Sequence, residues 1–104
     1  MALPSGRGLG VVLVTGLSMQ PTLQPGDALL VRRRRRTRPG DLVVARFTGR
    51  PDLLVVKRAV RPLGRCWEVL GDNPASSDDS RVHGAAEVLA HVVLRYWPLP
   101  PRRV

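Results

Sequence analysis

Cysteine occurs once in this chain, at Cys66, so no intramolecular disulfide can form and nothing suggests an oxidising compartment. Histidine is almost as rare. His83 and His91 form no metal-ligand spacing with Cys66, so neither a metal nor any other cofactor is expected. A Cys66 nucleophile served by His83 or His91 is a minor alternative to a small strand residue. Aromatic residues are sparse too: one phenylalanine, one tyrosine and two tryptophans offer no platform for stacking bases, so no nucleic-acid partner is expected. The most apolar N-terminal run, Leu9 to Val14, is far shorter than the roughly 20 residues that cross a bilayer, and it does not look like a cleavable signal. These absences make a soluble, cytoplasmic chain the simplest expectation. They leave peripheral membrane contact through a partner open.

The most informative scarcity is lysine. Against sixteen arginines there is one lysine, Lys57, in the stretch Leu53 to Val60, LLVVKRAV. A codon bias toward arginine explains the number but not the place, because a chance survivor belongs on a solvated surface and this one follows four aliphatic residues. An ammonium can shed its proton when desolvated, whereas a guanidinium effectively cannot. If the stretch is a strand, period-two alternation puts Lys57 on one face with Leu53, Val55 and Ala59. Desolvation there lowers an amine's pKa toward that of a base usable near neutral pH.

What is present points to a mainly β single domain spanning residues 1–104, with 98–104 as an extended tail. Ten glycines and ten prolines favour short elements and tight turns. Gln24-Pro25-Gly26-Asp27 and Arg38-Pro39-Gly40-Asp41 each precede an aliphatic run, and in both proline and glycine suit the central positions of a type II turn that launches a strand. Strands are expected at Val11 to Thr15, Ala28 to Arg32, Leu42 to Phe47, Leu53 to Val60, Cys66 to Leu70 and Val88 to Tyr96. Gly84 to Ala90 reads as a helical turn. The formal charge of +9 is concentrated in Arg32 to Arg38, RRRRRTR, which reads as a solvated loop or as a dock for an acidic partner.

A base needs a nucleophile. In Thr15 to Leu23, TGLSMQPTL, glycine before and proline after hold Ser18 in a tight turn, where a hydroxyl and a backbone N–H can face one carbonyl. Taken in order, GLSMQPTL (16–23), PGDLVVARF (39–47), VVKRAV (55–60) and GDNPASSDDSR (71–81) resemble the S26 signal peptidase family of Ser/Lys serine proteases. The resemblance implies a signal-peptidase-like or LexA-protease-like β fold reduced to a minimal catalytic core, with only RAVRPLGRCWEVL where housekeeping members carry a large insertion. It also implies Ser18 as nucleophile, Lys57 as general base, Ser77 orienting the lysine, and an Asp79–Arg81 ion pair bracing the site. Gly16 stands where some members have a hydroxyl residue, which leaves the Ser18 backbone N–H to supply most of the oxyanion hole.

Within the family the chain looks most like the nickel-type superoxide dismutase maturation proteases, whose partner is a precursor polypeptide bearing a short leader. The alternatives are a general signal peptidase, a LexA-type self-cleaving domain, and an arginine-rich binding module on an inactive protease core.

Overall fold

The computed structural model describes residues 8–33, 36–76 and 78–104. Strands β1 (Leu9–Leu13), β2 (Ala28–Arg32), β3 (Leu42–Phe47), β4 (Leu54–Leu63), β5 (Cys66–Leu70) and β6 (Ala86–Trp97) account for most of the regular structure. A 3-10 turn at Pro74–Ser76 and a short helix α1 at Ser80–His83 separate β5 from β6. The strands form one antiparallel sheet in the order β1-β2-β6-β3-β4-β5. A further β5–β6 pairing, Trp67 with Ala86, partly closes it. The expected mainly β fold is what the chain adopts.

The two Pro-Gly-Asp turns are built alike. Gly26 (φ 91°) and Gly40 (φ 94°) adopt a conformation that a side chain would strain. In the first turn the Asp27 N–H donates to Gln24 O at 3.0 Å and its carboxylate accepts from Gln24 N at 2.8 Å. In the second the Asp41 N–H donates to Arg38 O at 3.1 Å and its carboxylate accepts from Arg38 N at 2.9 Å. Each aspartate thus closes its turn twice, and β2 and β3 leave in defined directions.

β6 is long enough to serve both halves of the sheet. His91 lies opposite Arg32 of β2 and opposite Val43 of β3. Two apolar clusters fill the space on either side: one holds Val12, Met19, Leu23, Leu29, Val31 and Val44, the other Val43, Ala45, Phe47, Ala59, Val69 and Ala86. On β4, Val56 packs against the first cluster, whereas Val55 and Ala59 belong to the second. That is the alternation expected of the Lys57 strand.

Three local expectations change. Gly84 to Ala90 is not a helical turn: the turn comes earlier, at Ser80–His83, where the Asp79 carboxylate caps it and Gly84 (φ 78°) ends it. Ala86 and Ala90 are then strand residues, completely buried. β1 begins at Leu9 rather than Val11, and β4 runs on to Leu63 because the Gly64 turn pairs it with β5. The exposed tail bends after Trp97 and returns beside β6, where Arg95 and Arg102 exchange two backbone hydrogen bonds of 2.9 Å.

Candidate active site

Ser18 lies in the loop after β1, and that loop is pinned from both ends. Val14 N–H donates to Asp27 O at 2.8 Å and Gly26 N–H to Val14 O at 2.9 Å. Leu23 N–H donates to Met19 O at 2.9 Å, and both of those side chains are buried in the first cluster. With Met19 anchored and Leu17 exposed, Ser18 is left half-buried at the rim. Gly16 adopts φ 78° and a Cβ there would meet no atom within 4 Å, so the residue is required by its backbone and not by crowding.

Lys57 sits on β4 opposite Val43 of β3 and is only 3% exposed. Burial is the main cause of a pKa below the ordinary lysine value; the carboxylates of Asp79 and Asp78 pull it back up, and Arg81 lowers it further. Ser18, Lys57 and apolar residues from Leu13 to Met19 and from Leu53 to Val56 line one cleft of about 130 Å³. Among the described residues no hydrogen bond joins Ser18 to Lys57.

Asp79 is completely buried and is the most heavily bonded side chain of the region. One carboxylate oxygen accepts from Arg81 N at 3.1 Å and Arg81 Nε at 3.0 Å, while the other accepts from Arg81 Nη2 at 2.6 Å and Gly71 N at 2.8 Å. The pair is bidentate, a geometry that fixes direction as well as charge. It also caps α1, whose Ser80 hydroxyl accepts from Val69 N at 2.9 Å. Ser77, expected to orient the lysine, lies outside the described residues.

The structure adds residues to which sequence reasoning gave no role. Asn73 holds the serine loop directly: its N–H donates to Ser18 O at 2.8 Å and its side-chain amide to Leu17 O at 3.1 Å. Asp72 accepts from the Thr22 hydroxyl at 2.6 Å and from Arg58 Nε and Nη2 at 3.1 and 2.7 Å. Arg58 holds the Asp72 carboxyl below its ordinary pKa, assisted by Thr22. Arg58 also donates to Gly40 O at 2.8 Å. Neighbours on β4, Lys57 and Arg58 point to opposite faces, so one strand supplies the buried amine and the brace for the loop behind the serine. The Gly71-Asp72-Asn73 triplet was a visible signal, and Arg58's place beside Lys57 was another.

Cys66 does not join this arrangement. It borders a separate open pocket with Arg46, Phe47, Thr48 and Glu87. His83 packs at a tilt against Phe47 with ring centroids 4.9 Å apart, and His91 Nε2 shares a 2.8 Å hydrogen bond with the Thr37 hydroxyl.

Residues 3–93 match the Peptidase S24-like family. The chain belongs to that family. It is also similar to mitochondrial inner membrane protease subunit 1 of Xenopus tropicalis, 30% identical over 117 residues that cover 86% of this chain and 70% of that protein. The human protein of the same name is 27% identical over 118 residues, with the same two shares covered. This S24-like chain is thus a signal-peptidase-like protease, and the cleft bounded by Ser18 and Lys57 is its candidate active site. Among the described residues no helix is long and apolar enough to cross a membrane.

Proposed function

We propose that the chain is a serine endopeptidase with a Ser18/Lys57 dyad that removes an N-terminal leader from a precursor polypeptide. The observation that carries this reading is the lone lysine: buried, held below its ordinary pKa by that burial, and lining one cleft with a serine held in a tight turn. In the working form Lys57 Nζ is neutral. It takes the proton from Ser18 Oγ as that oxygen attacks the scissile carbonyl, and it returns the proton to the amine of the departing segment. Water then attacks the acyl-serine, Lys57 takes its proton and passes it to Ser18 Oγ as the acyl–oxygen bond breaks, and the leader leaves with its new carboxyl group.

The Ser18 N–H supplies the main donor to the oxyanion. Asn73, by holding Ser18 O and Leu17 O, fixes the peptide planes that aim it. Asp79 and Arg81 act through Lys57 by setting its electrostatic surroundings, with Ser77 as the residue that directs the amine. Catalytic hydrogen bonds of this kind commonly tighten when substrate binds.

For the substrate, we propose the precursor of a nickel-type superoxide dismutase, processed in the cytoplasm. Its support is the resemblance of GLSMQPTL and GDNPASSDDSR to that branch. The chemistry is consistent, since nickel bound by an N-terminal amine needs a peptide bond cut at one position first. Cells lacking this chain should accumulate full-length precursor, and wild-type but not Ser18→Ala protein should restore processing. If the dismutase matures normally while exported proteins keep their signal sequences, a general signal peptidase replaces this substrate. The curated relatives, themselves membrane proteases by name, make that the second reading.

A further inference from the structure

Charge is sorted by position in this molecule. Arg46, Arg50, Arg58, Arg61 and Arg81 each face a carboxylate, on Glu87, Asp52, Asp72, Glu68 and Asp79 respectively. Two other segments, 28–40 and 88–104, hold nine arginines and no aspartate or glutamate. Strands β2 and β6, which belong to these segments, lie side by side. β2 pairs with β6 so that Arg32 lies opposite His91, and the returning tail sets Arg102 opposite Arg95. Arginines directly opposed on a ladder, as Arg95 and Arg102 are, repel each other.

Arg32, His91, Val92, Val93 and Arg103 line an open pocket of about 270 Å³ in this region. Among the described residues none of Arg32, Arg33, Arg95, Arg102 and Arg103 has an ion-pair partner, and the buried Nε atoms of Arg33 and Arg95 have no hydrogen-bond acceptor. Of these arginines Arg32 and Arg103 line the pocket, and guanidinium groups without a carboxylate partner suit planar, two-oxygen anions. Among the described residues no aromatic lines the pocket, so it offers nothing for a base to stack on, whereas Val92 and Val93 suit the methylenes of a side chain.

The pocket also stands in a defined relation to the cleft. β1 is the last strand of the sheet; its Leu13 lines the cleft and its Leu9 lies opposite Arg32. From Leu13 to Leu9 is about 13 Å along a strand at roughly 3.3 Å per residue. An extended chain leaving the cleft along β1 therefore reaches the level of Arg32, one strand further into the sheet.

We propose that this pocket is an exosite for carboxylates, which takes an acidic segment of the polypeptide substrate a few residues from the bond to be cut. The word substrate rests on the protease reading; the binding of an acidic peptide does not.

The test measures binding and cutting separately on the full chain. Fluorescence anisotropy compares a labelled glutamate-rich decapeptide with its glutamine counterpart. The wild type should prefer the acidic peptide by about tenfold or more. Arg103→Glu and Arg32→Glu should each erase that preference, while Arg65→Glu, the same charge change at the β4–β5 hairpin, should keep it. Equal loss in all three variants would reduce the effect to net charge and overturn the proposal. So would an oligonucleotide of matched charge that binds tighter and displaces the peptide with the same sensitivity to Arg103→Glu. Cleavage of a neutral leader peptide, run in parallel, should be unchanged in Arg103→Glu. If no leader is cut by the wild type while the acidic peptide still binds at Arg103, the protease reading falls and the carboxylate pocket stands.

Discussion

Replacing Asp79 with asparagine changes one atom of the site and separates its structural from its chemical role. The side chain is completely buried, and its two oxygens accept from donors that include the Gly71 N–H and three on Arg81. An amide of the same shape offers one oxygen, so whichever way it is turned a donor meets a donor, either at the Gly71 N–H or on the Arg81 side. A buried N–H deprived of its acceptor costs about 1–3 kcal/mol. With its oxygen turned toward the Arg81 N–H, asparagine keeps the cap of α1 and the loss falls at Gly71 N–H, whereas Asp79→Ala should lose the cap too, about 0.5–2 kcal/mol more. For a chain of this size a loss of about 2 kcal/mol lowers Tm by roughly 8–16 °C.

Urea denaturation followed by tryptophan fluorescence, with calorimetry for Tm, measures this directly. The chemical consequence runs separately. Asp79 raises the Lys57 pKa, so its neutralisation must lower it, and the acid limb of the pH–rate profile for kcat/KM should move to lower pH. Arg81→Gln should move that limb the other way. A stability loss in Asp79→Asn below about 0.5 kcal/mol would refute the hydrogen-bond accounting. Limbs that move in the same direction in both variants would refute the electrostatic one.

Three further outcomes are expected. Lys57→Met should abolish turnover and yet raise Tm near neutral pH. The folded-state pKa of Lys57 lies below its unfolded value, so the unfolded chain binds the extra proton; burial of the ammonium costs most below the folded pKa and the cost fades as pH rises toward about 10.4. The Tm gain should shrink over the same window, and a gain independent of pH would contradict it. Asp72→Ala strips the Thr22 and Arg58 bonds from the loop behind Ser18, so kcat should fall several-fold in single-turnover assays while Lys57's acid limb stays in place. Replacing Arg33 to Arg36 with serine should weaken kcat/KM toward an acidic substrate and flatten its salt dependence with kcat nearly unchanged; an unaltered salt slope would return the run to a solvated loop.

Much of this architecture was legible because local chemistry and long-range pairing agree. The two Pro-Gly-Asp turns sit where proline, glycine and aspartate each have one conformational task, and β2 and β3 follow them with the expected bounds. Lys57 was legible because a cation among aliphatic residues conflicts with its surroundings, and such conflicts collect at functional sites. Where periodicity ran out, the reading did too. GAAEVLA has small residues with good helix propensity, yet Ala86 and Ala90 are chosen for close packing against β3, which only the tertiary pairing reveals. The Arg58–Asp72–Thr22 brace joins residues up to fifty positions apart, and no spacing rule connects them. The return of the tail onto β6 depends on backbone hydrogen bonds between Arg95 and Arg102 that carry no side-chain signature.

The Ser18/Lys57 dyad is tested most directly by incubating the purified chain with a leader-bearing precursor and weighing the products by mass spectrometry, beside Ser18→Ala and Lys57→Arg. The account predicts one cut by the wild type and none by either variant, although both remain folded. A Lys57→Arg protein that cuts at the wild-type rate would contradict it, because a guanidinium cannot give up its proton to act as the base.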